Sequence, residues 1–113
     1  MLALAAAACG DDSSDGTGDP VAQGEQLFDS KGCDACHSTT GDNGTGPPLD
    51  GIVGTEVELA AGDTVEVDEE YLRRSIVDPN FEVVEGFNPV MPDLRLSGDD
   101  LDAVVAYIES LSD

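Results

Sequence analysis

Residues 33–37 read CDACH, and His37 is the one histidine in the chain. Two thiols three positions apart share one helical turn, and the imidazole follows directly. A small protein that puts its single imidazole there has a use for all three side chains together. A redox dithiol needs the cysteine pair but not the histidine, and it expects an alternating strand–helix pattern that is missing here. Structural zinc wants four ligands, and Cys33, Cys36 and His37 supply three, with Cys9 across a polar stretch. The remaining chemistry uses everything: C-x-x-C-H is the attachment pattern of c-type haem. Cys33 and Cys36 reach the two vinyl groups on the porphyrin edge and form thioethers, and His37 projects under the iron as one axial ligand. The expected cofactor is one covalent haem c.

The opposite axial position needs a second donor. Met1 sits in an apolar leader-like segment, so Met91 is the internal thioether available. It lies in FNPVMPDL, where Pro89 and Pro92 stiffen the backbone on both sides. His/Met ligation raises the reduction potential relative to two imidazoles. The ring N–H of His37 needs an acceptor of its own. Pro47, in the stiff stretch TGPPLDG, offers a carbonyl, although a plain Pro-Pro turn reads the same way.

With 113 residues the chain makes one small domain. Three Phe, two Tyr and no Trp leave it short of apolar bulk, which a buried cofactor supplies. Twenty-five acidic residues against four basic ones give a formal charge of −21. Nucleic acid is excluded as a partner, because its phosphates need Lys and Arg to displace counterions. Electrostatic docking onto anionic lipid is disfavoured for the same reason. An acidic coat of this size reads as a solvated surface adapted to salt, with a patch for one basic partner as the competing reading.

Along the chain, MLALAAAAC (1–9) joins an apolar run and small residues to a cysteine, and DDSSDGTGD follows with no apolar residue. This resembles the end of a bacterial lipoprotein signal, in which the cysteine is lipidated. Residues 1–9 are therefore read as a truncated signal-like segment with Cys9 as the lipidation site, and 10–19 as a flexible acidic tether. The departure is the lack of a Lys or Arg ahead of the apolar run. The folded domain spans 20–113. A first helix starts with Asp19 as cap and Pro20 at its first position, carries Val21, Ala22, Gly24, Leu27 and Phe28 at helical spacing, and ends at Gly32. Residues 38–54 form a long Gly/Pro loop. TEVEL and TVEV alternate around AAGD as a small hairpin. A helix covers 68–78, stopped by Pro79. Residues 80–96 are irregular, and a last helix capped by Ser97 presents Leu101, Val104, Val105, Ile108 and Leu111 on one face.

Five stretches, GEQLF, CDACH, GPPLDGIVG, PVMP and VVAYIESL, together resemble a class I c-type cytochrome over roughly residues 20–112. That resemblance implies an all-α fold, a small cytochrome c fold of three to four helices around one haem, here with a short β-hairpin insertion. It implies that the first and last helices cross at Gly24, with Phe28 against Tyr107. The stretch from VELAAGDTVEV to PVMP most resembles the cytochrome domain of bacterial haem-copper oxidase subunit II. The copper ligands and transmembrane hairpin of that subunit have no counterpart here. Haem also brings two carboxylates into an acidic protein, and Arg74 or Arg95 is expected to pair one of them. Ser75, Asn80 and Asn88 are further polar groups near the ligand loop, and nothing in the sequence chooses among them.

The expected function is a single-electron carrier rather than an enzyme: a monomer at the outer face of the cytoplasmic membrane, periplasmic or extracytoplasmic, held only by its lipid. By family resemblance a quinol-oxidising complex is the donor and a terminal oxidase or reductase the acceptor. The competing class is an open-site haem enzyme or gas sensor, against which stands the lack of a distal His, Arg or Tyr. A purely structural haem subunit would need an apolar interface that the sequence does not display.

Overall fold

The computed structural model describes residues 19–112. Cys9, the signal-like segment 1–9 and residues 10–18 of the tether lie outside the described residues. Three helices, α1 (Pro20–Ser30), α2 (Glu69–Val77) and α3 (Gly98–Ser110), combine with a two-stranded antiparallel sheet, β1 (Glu56–Glu58) and β2 (Thr64–Glu66). A single 3-10 turn, Cys33–Ala35, follows α1.

Helix α1 begins as its sequence dictates. Asp19 accepts a bond from the Ala22 amide at 3.3 Å, and Pro20 occupies a position whose amide needs no partner. It ends at Lys31, after which Gly32 takes φ +81° and turns the chain into the CDACH turn. One face, Gly24 and Phe28, is buried against α3, whose buried residues are Ala103, Val104, Val105 and Ile108. The helices touch backbone to backbone, because Gly24 has no side chain. A Cβ there would run into the Ala103 carbonyl and lie 2.7 Å from Tyr107 Cβ. One turn on, the Phe28 and Tyr107 rings meet at 5.3 Å between centroids and 57° between planes, a tilted edge-to-face pair. The family's expected crossing is thus present residue for residue.

The hairpin pairs Glu56 with Glu66, Val57 with Val65 and Glu58 with Thr64. Its alternation puts the two valines half inside and the polar residues in water. Leu59 and Val67, flanking the strands, are buried in the main core. The irregular stretch after α2 is tied to the hairpin. Leu59 bridges to Val84, with Ala60 N donating to Val83 O at 2.7 Å and Glu85 N to Glu58 O at 2.9 Å. The VVE stretch thereby lies along the free edge of β1. Helix α2 is one residue shorter at each end than expected. Asp68 is its cap, accepting from Tyr71 N at 2.8 Å, and Asp78 closes it before Pro79. Ser97 also departs from expectation: it stands at the cap position of α3, but its hydroxyl bonds no first-turn amide. Gly98 enters that helix at φ +56°, which is not the ordinary capping geometry, and Asp99 and Asp100 supply the favourable charge instead.

The segment 86–97 is attached differently from the rest. Its only hydrogen bond to a helix or the hairpin among the described residues is at its very end, where Ser97 O accepts from Leu101 N at the start of α3; its other bonds are local, such as Phe87 N to Val84 O. Phe87, Met91, Leu94 and Leu96 point inward and hold the rest of it by packing. Gly86 (φ +93°) and Arg95 (φ +60°) place a left-handed residue near each end.

Gly24→Ala tests the crossing. Helix propensity alone would favour alanine by about 1 kcal/mol. The opposing atom is a helix carbonyl that cannot swing aside, so overpacking wins, and net destabilisation of about 2 kcal/mol is expected as a lower denaturant midpoint.

Candidate haem-binding site

The CDACH turn is built by short backbone bonds. Ala35 N donates to Gly32 O at 3.0 Å, Cys36 N to Cys33 O at 3.2 Å and His37 N to Cys33 O at 2.9 Å. Cys33 and Cys36 are free thiols, each half-buried. Burial pushes the Cys33 thiol above its ordinary value, its own amide offsets part of that, and the Asp34 charge adds to it.

His37 Nδ1 lies 2.8 Å from the Pro47 carbonyl. A carbonyl only accepts, so the neutral ring carries its proton on Nδ1 and leaves a lone pair on Nε2. The loop that carries Pro47 is riveted down on both sides. Gly46 N donates to Cys36 O at 2.9 Å, Leu49 N to Ser38 O at 2.9 Å and Gly54 N to Val67 O at 2.8 Å. Its far end is tied to the close of α3 through Gly51 N to Leu111 O at 3.2 Å and Val53 N to Ser112 Oγ at 3.1 Å.

These elements enclose a cavity of about 1230 Å³, counting the space open to solvent at its mouth. Cys33, Cys36, His37 and Pro47 border it, as do Tyr71, Leu72, Ser75 and Ile76 of α2 and Phe87, Met91, Leu94 and Leu96 of the 86–97 segment. Val104 and Ile108 of α3 and Phe28 of α1 complete the lining. Its wall is overwhelmingly apolar, which suits a large flat hydrophobic cofactor. Five of the sequence-selected residues, Cys33, Cys36, His37, Pro47 and Met91, therefore meet on one wall system. Arg74 and Arg95 are not brought there. Arg74 Nε pairs with Glu82 Oε1 at 2.8 Å, and it would have to leave that carboxylate to reach another. The Arg95 side chain is 89% exposed, with Asp93 3.8 Å away.

Three lining residues escaped the sequence reading or were left unplaced by it. Lys31 stands at the cavity mouth, the one basic side chain on its lining. Glu82 lines the cavity while holding Arg74. Ser75 Oγ is buried in the wall with no hydrogen-bond partner among the described residues, a donor beside the space a cofactor would fill. Its helical spacing from Tyr71 was the available signal. The residues present fit haem: two thiols three positions apart on one turn, a lone pair on Nε2, a thioether, an apolar cradle and a buried hydroxyl. Among the described residues no group of three or more His, Cys, Asp or Glu is arranged to hold a bare metal ion.

The cytochrome c family profile matches residues 21–112. The chain belongs to the cytochrome c family. No curated protein matches it. As a class I c-type cytochrome it binds haem c covalently, and Cys33 and Cys36 have the spacing of the attachment motif. Its activity is haem-based electron transfer, members of the family are typically electron carriers, and c-type cytochromes are generally extracytoplasmic. No described helix is long and apolar enough to cross a membrane. The match is to cytochrome c as a whole and carries no link to an oxidase subunit.

A second, acidic cleft lies on the other side of His37, bordered by Glu25, Asp29, Asp34 and Asp42. A hydrogen bond to the Asp34 carboxylate, and then its charge, raise Asp29 above the usual carboxylate range. An acid raised on folding binds its proton more tightly in the native state, so this pair erodes stability as pH rises through the carboxylate range. Asp29→Asn is expected to unfold at a higher temperature than the parent at pH 7. The difference should vanish in acid, below both pKa values, which paired melts at the two pH values would read.

Proposed function

We propose that this cytochrome is a mono-haem electron carrier with His37 and Met91 as its axial ligands, and that it is not an enzyme. The observation that carries the reading is that the Met91 thioether and the His37 imidazole, with Nδ1 committed to Pro47, border the same apolar cavity as the two thiols. When bound, haem c supplies one-electron exchange between its ferric and ferrous states. The chain's own part is to fix one donor rigidly, bring up the second on a separate segment and keep water from the space between. A soft sulfur donor favours the ferrous state, so the potential belongs in the His/Met range rather than that of two imidazoles.

The carrier is a monomer anchored through a lipid on Cys9, with residues 10–19 as the tether, at the extracytoplasmic face of the cytoplasmic membrane. Anchoring raises its effective concentration at membrane complexes. A quinol-oxidising complex is the donor and a terminal oxidase or reductase the acceptor, on the strength of the family and of the subunit II likeness in the hairpin-to-PVMP stretch. Pairing of a haem carboxylate by Arg74 or Arg95 requires rearrangement of both side chains.

A second reading, an open-site haem enzyme or gas sensor, draws on one observation: residues 86–96, which bear Met91, make no hydrogen bond to the helices or the hairpin among the described residues. Carbon monoxide separates the two. The reduced parent protein is expected to keep its spectrum under carbon monoxide, and Met91→Ala to form a complex at once, with a lower midpoint potential than the parent. A parent protein that binds carbon monoxide as readily as the variant would put the sensor reading ahead.

The anchor is tested by fractionation. The parent chain, expressed with a complete lipoprotein leader, is expected in the membrane pellet and Cys9→Ser in the soluble extracytoplasmic fraction. Retention of the variant in the pellet would dismiss Cys9 as the attachment point.

A further inference from the structure

We infer that the Leu59–Ala60 end of the hairpin anchors the root of the segment that carries Met91, with Ala60 as the positioning residue. The inference rests on the reading of Met91 as an axial ligand and extends it to what holds that ligand in reach. Residues 86–96 bond neither to the helices nor to the hairpin among the described residues, so the place of Met91 depends on where its segment is rooted. The far root is the start of α3, where Leu101 N donates to Ser97 O. The near root is not a helix. It is the strap 83–85, laid along β1.

Three contacts make that root. Ala60 N donates to Val83 O at 2.7 Å, Glu85 N donates to Glu58 O at 2.9 Å, and Leu59 and Val84 face each other between them as an antiparallel bridge. Leu59 is buried and belongs to the core, so the strap is pinned to a fixed interior point rather than to a surface loop. Val83 and Val84 border the cavity, and Gly86, at φ +93°, turns the chain away directly after the last bond. Met91 lies midway between Glu85 and Ser97. A tethered ligand has an effective concentration at its target, and slack at either root lowers it. The hairpin removes slack on one side as α3 does on the other.

The turn chemistry separates the anchor from the hairpin itself. Gly62 N donates to Leu59 O at 2.8 Å and Leu59 N to Asp63 O at 2.7 Å, so Ala60 is the second residue of a β-turn. Proline is favoured at that place, and Leu59, paired in the bridge, has the extended backbone that a following proline requires. Ala60→Pro therefore keeps the hairpin turn, deletes the donor to Val83 O and sets a ring carbon against that carbonyl. Ala60→Gly keeps the donor and is the matched control.

The test uses the ferric holoprotein with imidazole competing for the place of Met91, read by loss of the sulfur-to-iron charge-transfer band. Ala60→Pro is expected to bind imidazole about fivefold more tightly than the parent, the equivalent of one lost hydrogen bond, and Ala60→Gly to bind it as the parent does. Hydrogen exchange on the parent carries the test alone if the proline variant fails to mature. With imidazole bound, the Ala60 and Glu85 amides are expected to stay protected while the Phe87 amide, beyond Gly86, loses protection. Three results would each overturn the anchor and leave Met91 standing as a ligand: a proline variant with the parent's imidazole affinity, a glycine control that behaves like the proline variant, or Ala60 and Glu85 amides that open together with Phe87. A parent without the charge-transfer band would remove Met91 as a ligand, and the anchor with it.

Discussion

The backbone contact between α1 and α3 at Gly24 is the constraint on which the site depends. With only five aromatics, the chain has little bulk with which to hold two helices at a distance and fill the gap. It brings them together instead, glycine against the Ala103 carbonyl, and locks the approach with the Phe28–Tyr107 pair. Helix α1 then has a fixed direction, and its last turn delivers Gly32 and the CDACH turn to one place beside α3. Phe28 packs in the crossing and also lines the cavity. A change in crossing angle would therefore move the cofactor's attachment point as well as loosen the core.

From that point the two walls of the cavity are built on different principles. The wall carrying His37 and Pro47 is held by directional bonds to Cys36, Ser38, Val67, Leu111 and Ser112. The wall carrying Met91, residues 86–96, is held by four apolar side chains and two flanking prolines, with no hydrogen bond to the helices or the hairpin among the described residues. Hydrogen bonds fix position and orientation, whereas packing tolerates sliding and opening. The imidazole sits on the rigid wall. The thioether, which needs only reach and softness, sits on the compliant one. Low-cost local opening is expected where packing without long-range hydrogen bonds restrains a segment, and 86–96 meets that condition among the described residues.

Much of this was legible because the signals were local. Asp19-Pro20 announces a helix start by itself, Asp68 announces another, and the Val57–Val65 alternation fixes a hairpin whatever lies around it. CDACH fixes the chemistry, since no other use employs all three side chains. What escaped depends on tertiary placement. The Leu59–Val84 bridge joins segments whose pairing no periodicity reveals. The hold of Glu82 on Arg74 spans α2 and a loop, so the sequence points Arg74 at a haem carboxylate while the fold commits it to Glu82. Ser97 looked like a cap because the residue type fits, and the φ of Gly98 is not written in the sequence.

The distribution of charge adds a last step. The three arginines are met by their own carboxylates: Arg73 by Glu69 at 2.9 Å and Asp102 at 2.8 Å, Arg74 by Glu82, and Arg95 loosely by Asp93. Exposed pairs of this kind contribute about 1 kcal/mol or less each, so they do not explain why so few cations were kept. Their effect is on the field: they cancel locally and leave the acidic coat unrelieved, except at Lys31, which has no ion pair among the described residues and stands at the cavity mouth. At 0.15 M salt charges beyond about 8 Å are largely screened, so a docking partner senses only the carboxylates and the lysine near its own footprint. The charge pattern within one such radius of the mouth, rather than the total of −21, is therefore what a redox partner reads on approach.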